Sequence, residues 1–281
     1  MNIITDPDEL TPVEKIDWLY IKREDLFRPF GEQSVNGGKL RQCWCLIGKV
    51  KDDYDGVISC CSIYSPQSPI TAATAHHFGL PCIICYGGTS EERLRQYRMP
   101  TIARRYGAKS LIISKSGIHK ILYGKARPMA EELNYYVVDY GINITQYPDV
   151  LFDAVSKQVE NIPDDLDNLV ITCGSGITTT GVLLGLKRYK KNVGRIVLVA
   201  TAPNRRELID RNLAKNGASA SYEIADLFHQ KGFKYEKGLT ETIGDLKLHP
   251  NYEAKTFNWI KRNIDRSEKT LLWNVGVKPM R

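Results

Sequence analysis

Asn168–Tyr189 reads NLVITCGSGITTTGVLLGLKRY. An apolar, β-branched run ends at Cys173, Gly174-Ser175-Gly176 makes a tight turn, and from about Thr178 apolar residues recur at helical spacing. A strand that hands over to a helix through glycines gathers backbone N–H groups at the positive end of the helix, which makes a cradle for a phosphate. Ser175, Thr178 and Thr179 can add hydroxyl donors. No Lys-Ser/Thr closes the turn, so it is not a Walker loop, and the full dinucleotide-binding spacing is absent. Taken alone, it is also what a tight strand–helix connection with a threonine cap looks like.

Outward from this unit the same alternation continues. GVISCC, PCIICYG, SLIIS, YYVVD and RIVLVA are short β-rich runs, and EERLRQYRMPTIARRYG and VLFDAVSKQVENI are helical segments between them. Strand followed by helix at this spacing predicts parallel sheets covered by helices, an α/β architecture. Four successive units run from Gly56 to Asp139, and YGINITQYPD reads as a crossing point. The expected organisation is a larger domain from 1–50 and 145–281 with a smaller α/β domain, 51–144, inserted into it. Ligands of such folds bind at the carboxyl ends of parallel strands and in clefts between domains.

A second motif is VNGGKLRQC, Val35–Cys43. Paired glycines are expensive to order and mark a close approach or a positive φ. Lys39 stands at the start of an amphipathic helix, where the helix dipole disfavours a protonated amine. A lysine taken alone is a solvated surface charge by default. A lysine with help of this kind suits Schiff-base chemistry.

Composition sets the outer bounds. The 281 residues are 42% hydrophobic and 25% charged, which is ordinary for a globular chain with a substantial core. No apolar run reaches the roughly 18 residues a membrane span needs, and MNIITDPDELTP is unlike a secretory leader, so a cytoplasmic protein is expected. Seven scattered cysteines point to reduced thiols, and the net charge of +7 is compatible with an anionic partner such as nucleic acid.

A phosphate cradle and an activated lysine in one α/β chain are the two ends of a pyridoxal 5'-phosphate site. IKREDLFRPFGEQSVNGGKLRQ resembles the lysine segment of fold-type II pyridoxal-phosphate enzymes, in the aminocyclopropane-carboxylate deaminase and D-cysteine desulfhydrase branch of the tryptophan synthase β family. GVISCCSIYSPQSPITAATAHHFGLPCIICYGG and TLLWNVGVKP are similar to further segments of that branch, in the same order. The resemblance implies a tryptophan synthase β-like fold: two open parallel-sheet domains, the cofactor in the cleft between them, and a homodimer. It makes Lys39 the Schiff-base lysine and gives the phosphate to Gly174, Ser175, Gly176, Thr178 and Thr179. It places Ser65 near the substrate's α-carbon and aims the helix from about Ile70 at the substrate carboxylate.

Three departures from the family's pattern matter. Its Ser-Asn-His is here Ser65-Pro66-Gln67, so the asparagine that touches the cofactor's ring oxygen is a proline, and that contact passes to Gln67 or Ser68. The threonine facing the pyridine nitrogen aligns with Val275, which leaves Asn274 as the candidate partner. The chain is also shorter than typical members, so reduced enclosing loops and a bulkier substrate are expected.

In such enzymes the protein selects the reaction by where it anchors the substrate carboxylate and by what stands near the leaving group. Ser65, Gln67 and Ser68 lie where that choice is made. A subset of the family with NGGKLRQ and SPQ signatures, phage-encoded, remodels amino acids attached to hydroxymethylated thymine in DNA. The expectation is a pyridoxal-phosphate lyase that decarboxylates such a DNA-attached amino acid. The alternatives are a deaminase or desulfhydrase of a free small amino acid, and a non-catalytic protein that binds the cofactor or nucleic acid.

Other groupings invite less. Cys43 and Cys45, Cys60 and Cys61, and Cys82 and Cys85 with His76 and His77 nearby suggest a metal, but Cys82 and Cys85 alternate to opposite faces of one strand. Core thiols, and no metal, are expected. LKRYKKNVGR reads as a solvated helix end, and YEAKTFNWIKRNI as a helix whose Phe257 and Ile260 face the core.

Overall fold

The computed structural model describes residues 3–31, 34–142 and 146–276. In chain order its elements begin β1 (Val13–Ile16), β2 (Leu19–Arg23), α1 (Gly38–Val50), β3 (Gly56–Cys60), α2 (Gln67–His77) and β4 (Cys82–Gly87). They continue α3 (Glu91–Gln96), α4 (Arg98–Arg105), β5 (Lys109–Ser114), α5 (His119–Leu133), β6 (Tyr135–Val138), α6 (Pro148–Ser156) and β7 (Asp165–Cys173). The last are α7 (Ile177–Arg188), β8 (Asn192–Ala200), α8 (Arg206–Lys215), β9 (Glu223–Asp226), β10 (Thr242–Ile243), β11 (Leu246–Lys247), α9 (Glu253–Asn263) and β12 (Thr270–Asn274). Parts of four segments read above lie outside the described residues: 1–2 of the N-terminal stretch, 32–33 of the lysine segment, 143–145 of the crossing point and 277–279 of the terminal landmark.

Contacts divide the chain into two compact units, 1–38 with 151–281 and 39–150, where the sequence reading placed divisions at 50/51 and 144/145. From Lys39 onward α1 goes with the second unit because its side chains meet α2 and the turn after it. The Trp44 ring lies 4.2 Å from that of His77 and 5.4 Å from that of Phe78.

The second unit is a parallel sheet in the order β5-β4-β3-β6. Its connections leave from the carboxyl ends of the strands, so Ser62–Pro66, Gly88–Ser90, Lys115–Ile118 and the segment from Asp139 share one edge. The stretch expected to be one helix is two. Within a helix the Pro100 ring would clash with the Gln96 carbonyl and supply no N–H for it. Tyr97 is extended (φ −83°, ψ 139°) and α4 restarts at Arg98, with Pro100 in a first turn that needs no donor.

The first unit is a sheet in the order β1-β2-β12-β7-β8-β9, parallel except for the β1–β2 hairpin. Alternation in its central strands feeds two cores. Leu169, Ile171, Leu271 and Trp273 face one that α7 and α8 complete, whereas Val170, Val197 and Leu272 face another completed by Phe257 and Ile260 of α9. With both faces buried, β7 and β12 read as continuous apolar runs rather than alternating ones. Among the described residues no helix is long and apolar enough to cross a membrane.

Candidate functional site

In the first unit the charged quartet Lys22-Arg23-Glu24-Asp25 is buried. Arg23 grips Asp25 with two 2.8 Å bonds and also pairs with Glu14; Lys22 Nζ donates to the Thr11 carbonyl at 2.6 Å, and Thr11 Oγ1 donates to Glu24 at 2.6 Å. Buried charges persist only when paired, and here the pairs pin the segment leading to α1. Asn36 Nδ2 bridges the Asp25 and Gly276 carbonyls at 2.8 and 2.9 Å. Gly37 has φ +99°, and a Cβ there would stand 2.5 Å from the Val275 carbonyl oxygen; one on Gly38 would stand 2.8 Å from Glu24 Oε2. The glycine pair therefore serves close packing of backbone against the end of β12.

The phosphate-loop candidates stand between β7 and α7. Gly176 takes φ +85° immediately before the helix, which turns the chain from strand to helix without a Cβ penalty. Gly174 and Ser175 are half-buried and Thr178 is buried. Thr179 Oγ1 is buried with no partner among the described residues. A buried hydroxyl in the first turn of a helix, left without a partner, fits an anion that accepts from it. Beside the loop, Arg205 Nε reaches the Gly174 carbonyl at 3.5 Å, and Tyr252 is the nearest side chain to the space over Gly174.

Asn274, at the end of β12, is buried; its Nδ2 donates to Asp25 Oδ1 at 2.9 Å, and its Oδ1 lacks a partner among the described residues. Sequence reasoning missed the carboxyl next to it. Glu253 opens α9, is fully buried, and is pushed up to about 7 by that burial, partly offset by the backbone N–H groups of Gly276 and Val275. Its Oε2 also lacks a partner. The Asn274 amide oxygen and a Glu253 carboxyl that exchanges its proton near pH 7 fit a heteroaromatic ring nitrogen, as acceptor and as proton partner. The only local signal was an acidic residue in a first turn, which reads equally as a helix-dipole partner.

In the second unit Lys39 is the second residue of α1 and half-buried, and its Nζ donates to the Gly141 carbonyl at 2.8 Å. Gly141 N–H donates in turn to Gln67 Oε1 at 2.7 Å, while Gln67 Nε2 donates to Ser59 Oγ at 2.9 Å and to the Asp139 carbonyl at 2.8 Å. Both amide hydrogens of Gln67 are thus taken, so it holds the segment after β6 rather than donating to a cofactor ring oxygen. Ser68, expected to touch substrate, is fully buried, and its hydroxyl donates to the Ser65 carbonyl at 3.2 Å. Ser65 stays half-buried; its Oγ accepts the Gln67 N–H at 3.3 Å, and its own hydrogen has no acceptor among the described residues.

The expectation that α2 aims free donors at a substrate carboxylate also changes. The helix starts at Gln67, the Gln67 and Ser68 N–H groups are bound to Ser65, and Pro69 has none.

The cysteines are free thiols, all buried except the half-buried Cys45. Cys60 and Cys85 are register partners on β3 and β4, and burial pushes Cys43 and Cys61 up to about 12. Among the described residues no group of His, Cys, Asp and Glu is arranged to hold a metal ion. The His77 ring lies against that of Trp44, tilted by 33°, and His76 lies 6.1 Å from the Tyr106 ring.

No family model matches the chain. The O-seryl-dTMP PLP-dependent decarboxylase of Salmonella phage ViI is 27% identical to it, over 93% of this chain and 78% of that one. Among solved structures, an ACC deaminase homologue superposes with a TM-score of 0.77 at 21% identity, covering 98% of this chain and 91% of that one. The processed form of threonine deaminase isoform 2 from Solanum lycopersicum gives 0.62 at 14% identity, covering 95% and 84%. The fold is that of the fold-type II pyridoxal-phosphate enzymes, as the lysine segment and the glycine turn led us to expect.

Proposed function

We propose that this chain, which has the fold-type II architecture, is a pyridoxal-phosphate-dependent lyase that decarboxylates an amino acid carried on a thymine nucleotide of DNA. The observation that carries the reading is the likeness to the phage decarboxylase along 93% of the chain. Lys39 would hold the cofactor's aldehyde end; Gly174, Ser175, Gly176, Thr178 and Thr179 would hold its phosphate. Asn274 and Glu253 offer hydrogen-bond partners for the ring nitrogen. When bound, the cofactor supplies a ring that takes up the electron pair of the Cα bond being broken.

The chain's own residues favour loss of the carboxylate. A deaminase must grip the carboxylate throughout, and the first turn of a helix is a common means. Here the first-turn donors of α2 are bound to Ser65 or missing at Pro69, which leaves the Ser65 hydroxyl as the local donor. The Cα–carboxylate bond breaks, carbon dioxide leaves, and a proton from Lys39 Nζ takes its place on Cα. Gln67, through Gly141, fixes where that amine rests. The reading also takes the protein to work as a homodimer in the cytoplasm; sedimentation should give twice the 31.8 kDa chain mass.

The test is to incubate the cofactor-loaded protein with DNA bearing seryl-modified thymine and, separately, with free D-serine, D-cysteine and aminocyclopropane-carboxylate. Carbon dioxide from the DNA is the expected product. Ammonia and keto acid from a free amino acid, with no carbon dioxide from DNA, would reverse the assignment in favour of a deaminase.

A further inference from the structure

At the carboxyl edge of the second unit's sheet lies a surface cluster that the decarboxylation does not use. Tyr64, immediately before Ser65, is 39% exposed. Its ring meets that of Tyr97 edge-on, 5.1 Å between centroids and 89° between planes, and the two hydroxyls are 3.3 Å apart. Arg93 Nη2 donates to the Tyr64 hydroxyl at 3.3 Å, and its guanidinium carbon stands 5.4 Å from the centre of the Tyr97 ring.

The same stretch is densely basic. Arg93, Arg95, Arg98, Arg104 and Arg105 fall within Arg93–Arg105 with no carboxylate among them; Glu91 and Glu92 come before. Arg98 and Arg105 are two turns apart on one face of α4. Burial, and then the charge of Arg105, hold Arg98 below the ordinary arginine range. Arg98 Nη2 is buried with no partner among the described residues. Like charges set together with a donor left over are unfavourable until an anion arrives.

Two tyrosine rings flanked by guanidinium groups match what unstacked nucleic acid offers, base faces and phosphates in alternation. We propose that Tyr64, Tyr97, Arg93, Arg98 and Arg105 form the surface on which this unit receives the single-stranded or locally opened DNA that flanks the substrate nucleotide. The proposal rests on the reading that the substrate is carried on DNA. A duplex hides its base faces, so an enzyme acting on a base-borne group needs the strand opened, and rings beside the Ser65 loop would hold the neighbouring bases apart. An acidic protein would also meet the arginines but has no base faces for the two rings.

The experiment measures binding of a fluorescent, unmodified, thymidine-rich single strand to the cofactor-loaded protein over a range of salt. Tyr64→Ala with Tyr97→Ala should weaken binding at least about thirtyfold. Arg98→Gln with Arg105→Gln should flatten the slope of log affinity against log salt by about 1.4, near 0.7 for each lost phosphate contact. The visible band of the cofactor checks folding, and Arg105→Glu, a change at an exposed residue, replaces the arginine pair if that pair misfolds. Wild-type protein that does not bind the strand, an unchanged value in either pair, or displacement by poly-L-glutamate as effective as by DNA overturns the proposal. Failure of the decarboxylase reading is separate: it appears as no carbon dioxide from modified DNA even where the strand binds.

Discussion

Replacing Glu253 by glutamine should change how stability depends on pH, in a direction the geometry dictates. The Glu253 carboxyl is fully buried and raised from 4.5 to about 7, with burial the largest cause. Below pH 4.5 it is protonated folded and unfolded, and stability is unaffected. Between 4.5 and about 7 the unfolded chain releases the proton while the folded one keeps it, so stability falls as pH rises. A shift of this size is worth about 3 kcal/mol across the window.

Glutamine keeps the shape and an acceptor for the Gly276 and Val275 N–H groups but cannot ionise. The unfolding free energy of the cofactor-free protein, from urea titrations between pH 4 and 8, should drop with pH relative to Glu253→Gln by about 3 kcal/mol. His249, buried and lowered to about 4, acts in the opposite sense: its stability is present above 6.5 and lost as pH falls toward 4. Both proteins carry His249, so it cancels in the difference. A difference that stays constant across this range would refute the claim that the folded protein keeps the Glu253 proton above pH 4.5, up to about 7.

Three further outcomes follow from the site. Lys39→Ala should abolish the borohydride-sensitive visible band and lower turnover on the order of 10²–10⁴-fold or more; a yellow, active variant would remove Lys39 from its role. Gln67→Leu deletes three hydrogen bonds, two of them buried, and should destabilise by about 3 kcal/mol while speeding exchange of the Gly141 amide hydrogen; unchanged exchange would contradict the clamp. Gly37→Ala meets both a positive φ and the Val275 carbonyl, so backbone strain alone should cost about 1–3 kcal/mol, and an unaltered melting temperature would show that the segment is not packed as described.

The α/β class was legible because it is written in local periodicity. Each run from GVISC to RIVLVA became a strand, and the turn after Cys173 passed from strand to helix at Ile177. Lys39 could be singled out because a lysine at a helix start, beside two glycines, is a local feature. The break at Tyr97 was local too: Pro100 carried the signal, and helical periodicity on both sides masked it.

The functions of Gln67 and Glu253 were not legible, for a different reason. Gln67 finds partners 72 and 74 residues away, and Glu253 is buried among residues from distant parts of the chain. Tyr64 and Tyr97, 33 residues apart, form one surface only because β3 and β4 are neighbours. By itself, the sequence determined which segments are strands and helices and that Lys39 opens a helix beside two glycines, because backbone propensity and helix position act over a few residues. Tertiary structure alone decided which amide hydrogens are already taken, which carboxyl keeps its proton and which rings meet. Hydrogen bonding, desolvation and contact depend on neighbours in space that no stretch of sequence contains.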